Sequence, residues 1–179
     1  MKNQNQDITF LLECCAANNE KAQLTLYTMY YKAMYNVSYR IIGDSYLAED
    51  IMQESFLKAF SKLTSYNGTV TFGAWLKRIV INTSINELKK KSKYQIEPLS
   101  DSLELVDYNE DENTNYTDLK ANQVIKTIQS LKLNYKIILT LFFIEGYDLE
   151  EITSILNISN ENCRTMMSRA KESLRKKSS

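Results

Sequence analysis

The chain has 179 residues, of which 44% are hydrophobic and 25% charged, a composition typical of a soluble globular protein, with a formal net charge of zero. It has no histidine, four glycines and three cysteines, which excludes histidine catalysis, a glycine-rich phosphate loop and a zinc site of paired cysteines. We therefore expect no enzymatic activity, no cofactor and no metal. The longest apolar stretch, Ile137–Ile144, is far too short to span a bilayer, so we expect a cytoplasmic protein without membrane insertion.

The charged residues fall into three blocks that predict two domains and a linker. Residues 1–93 carry 12 basic and eight acidic side chains, and residues 119–179 carry ten and six. Residues 94–118 carry eight acidic side chains, no Lys or Arg, and the only proline, Pro98. This middle block lacks sustained helical periodicity, which is typical of a flexible linker. Two mildly basic blocks beside an acidic one indicate a polyanionic partner.

The first block reads as helices that are separated by glycines. One apolar and aromatic face repeats at helical spacing through Tyr27, Tyr31, Met34, Tyr35, Tyr39 and Ile42. Gly43 is placed to end this helix and Asp44 to cap the next one. The next helix is expected to bury Met52, Phe56, Ala59, Phe60 and Leu63. A third helix is predicted from about Gly73 to Lys91. Because no alternating strand pattern persists, the predicted fold is all-α.

The last block predicts a helix-turn-helix. Helices are expected near 119–131 and 134–145, and Asp148 and Glu151 then form a capping-box pair at the start of a short helix. Its apolar face is Ile152, Ile155 and Leu156, and Asn157–Ser159 makes the turn, with Ser159 as the cap of a second helix. A short helix, a tight turn and a basic second helix are the pattern of DNA-binding helix pairs.

The last helix divides into a core face and a DNA-reading face. At roughly 100° per residue, four apolar residues share one side: Cys163, Met167, Ala170 and Leu174. Opposite them lie the candidate base-reading residues Arg164, Thr165, Ser168 and Arg169. The cations Arg175, Lys176 and Lys177 add attraction to phosphate. The alternative is an ordinary surface helix, which also has polar residues opposite its core.

The third helix of the first domain carries a second candidate nucleic-acid surface. Aromatic, amide and cationic side chains share one narrow face: Trp75, Arg78, Asn82, Asn86, Lys89 and Lys93. They suit base stacking, base-edge hydrogen bonds and phosphate pairing. The loop before them holds Tyr66, Asn67 and Phe72, and it could accept an unstacked base. The alternatives are an amphipathic helix with a core tryptophan and a plain surface loop.

The second helix of the first domain presents an acidic face. Asp50, Gln53, Glu54 and Leu57 share this face, opposite the predicted core residues. An acidic patch with an exposed leucine would be repelled by DNA, so it suits a protein partner. The alternative is a solvated helix face.

Three stretches together resemble the bacterial RNA polymerase sigma factors of the extracytoplasmic-function type. "YRIIGDSYLAEDIMQESFLKAF" is similar to the family's regions 2.1–2.2, "FGAWLKRIVINTSIN" to regions 2.3–2.4, and "LFFIEGYDLEEITSILNISNENCRTMMSRAKESLRK" to region 4. The resemblance implies that 1–93 is region 2, 94–118 an acidic linker and 119–179 region 4. It also implies an alternative sigma factor that directs promoter-specific initiation without catalysis of its own.

The resemblance assigns roles to the candidate residues. Asp50, Gln53 and Glu54 would bind the clamp coiled coil of the polymerase's largest subunit. The residues that would recognise and open the minus-ten element are Tyr66, Asn67, Trp75, Arg78 and Asn82, with the Tyr66–Thr71 loop capturing a flipped base. The residues that would read the minus-35 element are Arg164, Thr165, Ser168 and Arg169. The implied partners are core RNA polymerase, including its flap, promoter DNA and an anti-sigma factor, and the linker would run near the polymerase active centre.

The chain departs from the family pattern at four positions. Asn86 replaces a usual Asp, Lys132 a usual Pro, Thr153 a usual Ala, and Met166 a frequent Arg, which removes one expected phosphate contact. Two other functions remain open from the residues alone. A stand-alone helix-turn-helix regulator would not need the acidic face and would usually dimerise on a palindrome. A helical interaction module would bind only a protein partner. The loss of the arginine at Met166 mildly favours it, and the retained Trp75, Asn82, Arg164 and Arg169 argue against it.

Overall fold

A computed structural model describes residues 2–94 and 116–178, with side chains over 8–91 and 121–178. The described residues form eight α-helices and no strand, which confirms the all-α prediction. The helices are α1 Lys2–Ala16, α2 Glu20–Ile42, α3 Ser45–Ser61, α4 Phe72–Tyr94, α5 Tyr116–Gln129, α6 Leu133–Leu139, α7 Leu149–Leu156 and α8 Asn160–Ser178. The chain divides into two compact units, Met1–Lys90 and Lys91–Ser179.

The helices beside the predicted linker are longer than the sequence indicated. Helix α4 reaches Tyr94 and α5 begins at Tyr116, so both ends of the predicted 94–118 linker are helical. Residues 95–115, which carry most of its acidic side chains, lie outside the described residues. The boundaries of the two domains therefore stay a prediction.

Side-chain caps separate the first three helices. Asn18 has a φ of 59°, and the Asn19 side chain accepts a hydrogen bond from the Ala22 N–H at 3.1 Å, which starts α2. The sequence prediction missed this break and therefore missed α1 as a separate helix. At the other end of α2, Gly43 has a φ of 85° and its N–H donates to the Tyr39 carbonyl at 2.8 Å. Asp44 accepts from the Leu47 N–H at 2.8 Å, so both predicted caps are confirmed.

The core face of α2 coincides only in part with the predicted apolar and aromatic face. The fully buried apolar residues of α2 include Leu26, Met34, Val37, Ile41 and Ile42. Of the predicted apolar and aromatic face, Met34 and Ile42 are buried, whereas Tyr31 is 44% exposed. Tyr27 of the same face packs on Phe56 of α3, with their ring centroids 4.8 Å apart. On α3 itself Met52, Phe56 and Ala59 are buried as predicted, whereas Phe60 is only half-buried.

Two buried serines bring α2 and α4 together. The Ser84 hydroxyl bonds the Val80 carbonyl at 2.8 Å and lies 3.3 Å from the Ser38 hydroxyl oxygen. Both serines are completely buried. Small side chains allow the two helices to approach closely here, and the hydrogen bonds offset the cost of burying their hydroxyl groups.

The second unit contains the predicted helix-turn-helix. At the start of α7 the Glu151 N–H donates to the Asp148 carboxylate at 2.8 Å, and the Asp148 N–H donates to Glu151 at 2.9 Å, which confirms the capping box. The helix ends at Asn157, whose φ is 54°. The Ser159 hydroxyl then accepts from the Asn162 N–H at 3.2 Å and caps α8, as predicted.

A π-helical segment, Thr140–Ile144, continues α6 into the predicted 134–145 helix. Its wider turn ends with the Glu145 N–H bonded to the Thr140 carbonyl at 3.0 Å. Helix α6 packs on α8 and buries Ile137, Ile138 and Leu139 against it. The Lys177 ammonium donates to the Ser130 carbonyl at 2.8 Å, which ties the end of α8 to the end of α5.

Candidate nucleic-acid and protein interfaces

Helix α8 presents the predicted recognition surface to solvent. Cys163, Met167 and Ala170 are buried against the rest of the unit, and Leu174 is half-buried. The four candidate base-reading side chains all lie on the exposed side: Arg164, Thr165, Ser168 and Arg169. None of these four makes a hydrogen bond or ion pair among the described residues. Their donors are therefore available to a ligand, which is the condition for base or phosphate contact.

A cation held over two aromatic rings lies beside this surface. The Lys171 ammonium is 4.8 Å from the ring centroid of Phe142 and 5.5 Å from that of Phe143. Phe143 is 53% exposed, and the two rings meet edge to face. The sequence prediction did not include this contact, because a π-helical turn brings the two rings to α8 and no helical periodicity encodes that turn. Cation–π attraction holds the Lys171 ammonium over the rings. Arg164 and Arg169, by contrast, have no such contact among the described residues and point to solvent.

An aromatic cluster surrounds the start of α4. We use this name for Tyr30, Tyr66, Phe72 and Trp75. The ring centroids of Tyr66 and Trp75 are 5.3 Å apart, and Phe72 lies 5.5 Å from Tyr30 and 5.8 Å from Trp75. Burial and the neighbouring Tyr66 phenol raise the pKa of Tyr30 above its usual value. The ring of Trp75 is half-buried, so it packs in the cluster and still offers a surface for stacking.

A glycine allows the aromatic cluster to close. A β-carbon at Gly73 would lie 2.9 Å from the ring of Tyr30, closer than ordinary contacts allow. A larger residue at position 73 would therefore require the ring of Tyr30 to shift. Farther along α4, Arg78 is half-buried, whereas Asn82, Asn86 and Lys89 are exposed. The side chain of Lys93, the last member of the predicted stripe, lies outside the described residues.

The loop between α3 and α4 is held by its own side chains. The Tyr66 hydroxyl donates to the Val70 carbonyl at 2.6 Å, and the Thr71 hydroxyl accepts from the Ala74 N–H at 3.3 Å. Asn67 accepts two hydrogen bonds from Thr69, while its side chain is exposed. The loop is therefore ordered by internal contacts before any ligand binds, which reduces the entropy cost of binding.

The acidic face of α3 is exposed and carries two apolar residues. Asp50, Gln53 and Glu54 are exposed, and Leu57 beside them is 69% exposed. Glu54 forms an ion pair with Lys58 at 2.7 Å. Asp50, the other carboxylate of the acidic face, is not part of this pair. Tyr46, one turn before Asp50, is 84% exposed and was not predicted as part of the face. Its spacing of four residues from Asp50 and eleven from Leu57 places it on the same stripe.

The described residues contain no group of three or more His, Cys, Asp or Glu side chains that could hold a metal ion. Within the same part of the chain, no helix is long and apolar enough to cross a membrane.

The comparisons with known proteins match both units to one family. The Sigma-70 region 2 family matches residues 26–94, and the Sigma-70 region 4 family matches residues 121–174. The ECF RNA polymerase sigma factor SigW of Bacillus subtilis (strain 168) is 32% identical over 164 residues, covering 83% of this chain and 84% of its own. The chain belongs to the ECF RNA polymerase sigma factors. The ECF sigma-E factor of Salmonella typhimurium (strain LT2) is also similar, with 30% identity over 134 residues and 70% of each chain covered.

Solved structures of sigma factors show the same fold. The sigma factor RpoE, solved in complex with the anti-sigma factor NepR from Bartonella quintana, matches with a TM-score of 0.61 and 17% identity over 86% of this chain and 94% of its own. CnrH, solved in complex with the cytosolic domain of CnrY, matches with a TM-score of 0.55 and 19% identity over 92% of each chain.

Family membership confirms the resemblance and the function that it implied. The protein is an alternative sigma factor that binds core RNA polymerase and directs promoter-specific initiation, with regions 2 and 4 as the parts that read the minus-ten and minus-35 elements. The acidic face, the loop and the aromatic cluster contain residues of region 2, and α8 lies largely in region 4. The roles of the individual residues stay predictions.

Proposed function

We propose that exposed side chains of the two units divide promoter recognition between them, with residues 1–93 acting at the minus-ten element and residues 119–179 at the minus-35 element. The observation that carries this proposal is the unpaired, exposed face of α8. Arg164 and Arg169 read guanine edges or pair with phosphates, and Thr165 and Ser168 allow close approach to the bases. The residues of 94–118 join the two units.

At the minus-ten element, the region 2 unit captures bases and so stabilises the opened duplex. Trp75 stacks on a base from the edge of the aromatic cluster, and Arg78 and Asn82 contact the backbone and base edges from α4. The Tyr66–Thr71 loop holds one extruded base, with Asn67 at its exposed tip. Captured bases offset an unstacking cost of a few kcal/mol per step, so melting proceeds without a catalytic activity of this chain.

The acidic face of α3 binds core polymerase. Asp50, Gln53 and Glu54 pair with cationic and amide groups of the largest subunit's clamp coiled coil, and Leu57 fills an apolar pocket between them. Charged residues at such an interface set orientation and association rate, whereas a buried apolar side chain supplies much of the affinity. Region 4 engages the polymerase flap. The protein therefore acts in the cytoplasm, where polymerase and promoter DNA are found.

An anti-sigma factor is the partner that regulates this chain. Both solved sigma factors with a similar fold were captured with such a protein, NepR in one case and the cytosolic domain of CnrY in the other. A partner that covers the acidic face or α8 would compete with polymerase or promoter for the same exposed residues.

Transcription by purified core polymerase tests the proposal. The assay uses sheared genomic DNA from the source organism, with and without the chain, followed by sequencing of the new 5′ ends. We expect discrete transcripts that depend on the chain and that share two upstream elements. A double variant, Arg164→Ala with Arg169→Ala, should still bind polymerase but should lose transcription from promoters that need the minus-35 element. Polymerase binding without any transcript would instead favour a pure interaction module.

A further inference from the structure

The orientation of one amide side chain in the Tyr66–Thr71 loop is fixed by its neighbour. The Asn67 Oδ1 atom accepts a hydrogen bond from the Thr69 backbone N–H at 3.1 Å and a second from the Thr69 hydroxyl at 2.8 Å. A backbone N–H can only donate, so it requires the oxygen of the amide and rejects its nitrogen. The hydroxyl, with its rotatable proton, adds a second donor to the same oxygen.

The other end of this amide is left for a ligand. Asn67 is exposed, and its Nδ2 group makes no hydrogen bond among the described residues. Because Oδ1 is already occupied twice, the polar group that Asn67 can offer outward is a donor with two N–H bonds. An asparagine that was free to rotate could present either its oxygen or its nitrogen to a ligand. It would therefore discriminate poorly between ligand groups that donate and ligand groups that accept a hydrogen bond.

The tip of the loop is open beside Asn67. Gly68, the next residue, has a φ of 73°, and no atom lies within 4 Å of the position that a β-carbon would take there. On the other side, the bond between Tyr66 and the Val70 carbonyl closes the loop. The result is a rigid turn with free space at its tip.

We propose that Asn67 is the specificity-determining residue of this loop, that it reads the extruded base through Nδ2, and that Thr69 positions it. The ligand is a nucleobase that turns an acceptor, in the first place a carbonyl oxygen, towards the loop. Thymine, whose exocyclic O4 accepts, fits such a donor best, whereas adenine carries an amino donor at the equivalent position and offers only ring nitrogens as acceptors. This inference rests on the proposed capture of a base by the loop, and it adds which chemical group does the reading.

The substitution Asn67→Asp tests the inference with almost no change of shape. Aspartate keeps an oxygen for both Thr69 donors but replaces the outward N–H donor by a second acceptor. The assay is open-complex formation by core polymerase with the full chain, measured by permanganate reactivity. The templates are promoters in which each non-template minus-ten position carries each of the four bases in turn. At the captured position we expect the parent chain to favour thymine over adenine by about tenfold, the effect of one hydrogen bond.

With Asn67→Asp, the thymine-to-adenine ratio should fall below one at that position, because the exocyclic amino group of adenine donates to the carboxylate, whereas the exocyclic O4 of thymine meets it as a second acceptor. The new negative charge also repels phosphates, but that loss is the same for all four bases and leaves the ratio unchanged. Thr69→Val, which keeps the backbone N–H and removes the hydroxyl, should flatten the base preference, and Thr69→Ser should restore it.

The outcomes separate this inference from the function on which it rests. An unchanged base ranking in Asn67→Asp, with or without a uniform loss of opening, would overturn the reading role of Nδ2 and leave base capture by the loop intact. If neither Asn67→Asp nor Gly68→Ala alters opening at any base, the loop does not capture a base, and both proposals fail.

Discussion

The buried lysine of α6 should make the stability of the second unit depend on pH. Lys136 is only 9% exposed, and desolvation lowers its pKa from 10.5 to about 8. In the unfolded chain the same group keeps its usual pKa, so between pH 8 and 10.5 the unfolded state binds more protons than the folded state. The free energy of unfolding must therefore rise with pH through this window. For these two pKa values, the contribution between pH 7 and 9.5 is about 2 kcal/mol, or about 30-fold in the equilibrium for opening.

Thiol labelling of Cys163 measures this effect in the full chain. Cys163 lies on the inner face of α8 and is completely buried, so a reagent reaches it only when the second unit opens. Peptide mass spectrometry separates its label from that of Cys14 and Cys15. The control is Lys136→Met, which keeps the length of the side chain and removes the charge. The thiol reaction itself depends on pH, and so does the titration of other lysines and of tyrosines. These effects are the same in both chains, so they cancel when the two labelling rates are compared at each pH. The ratio of parent to variant labelling rates should fall about 30-fold from pH 7 to 9.5. A constant ratio would refute the reasoning and show that the folded state solvates Lys136 fully.

Three further predictions concern the interfaces. The double variant Asp50→Lys with Glu54→Lys should lower the affinity for core polymerase at least tenfold in a pull-down titration, because like charges would oppose each other at the interface. Unchanged binding would show that the acidic face does not bind polymerase. Arg164→Ala tests whether Arg164 contacts a phosphate or a base. If it contacts a phosphate, the slope of log affinity for promoter DNA against log salt concentration should fall in magnitude by about one. If it reads a base, the slope should stay unchanged and discrimination at a single base pair should be lost. Gly68→Ala should slow promoter opening, because alanine at a φ of 73° is strained by about 1 kcal/mol. The added methyl group meets no atom within 4 Å, so the strain lies in the backbone alone. Normal opening would show that the loop rearranges.

Local signals in the sequence were enough to predict most helices and their ends. The capping box at Asp148 and Glu151, the glycine at the end of α2 and the serine cap of α8 each involve residues within a few positions of one another. Their geometry depends on the local backbone alone, so no knowledge of tertiary packing is needed. The exposure of the four base-reading candidates on α8 follows from helical periodicity in the same way.

What the sequence could not predict depends on contacts between elements. Tyr27, Tyr31 and Tyr35 share a helical face, but the partner helix decides which of them is covered: Tyr27 packs on Phe56 of α3, whereas Tyr31 is exposed. The sequence placed Tyr66 in a loop but did not predict that it packs on Trp75 and Phe72 and closes its own loop. The exposed Tyr46 was missed because a tyrosine at helical spacing is more often core than surface.

The zero net charge of the chain is the sum of oppositely charged segments. Helix α8 carries six basic and two acidic residues, whereas residues 94–118 carry eight acidic residues and no basic one. Beyond a Debye length of about 8 Å these charges cancel, so the free chain has little long-range attraction to DNA. Within that distance the α8 face is strongly attractive, because Arg164 and Arg169 are exposed and unpaired. With the roles proposed above, such a charge distribution favours promoter binding only when polymerase already holds the second unit close to the duplex, so recognition of the minus-35 element would depend on binding of the acidic face to polymerase.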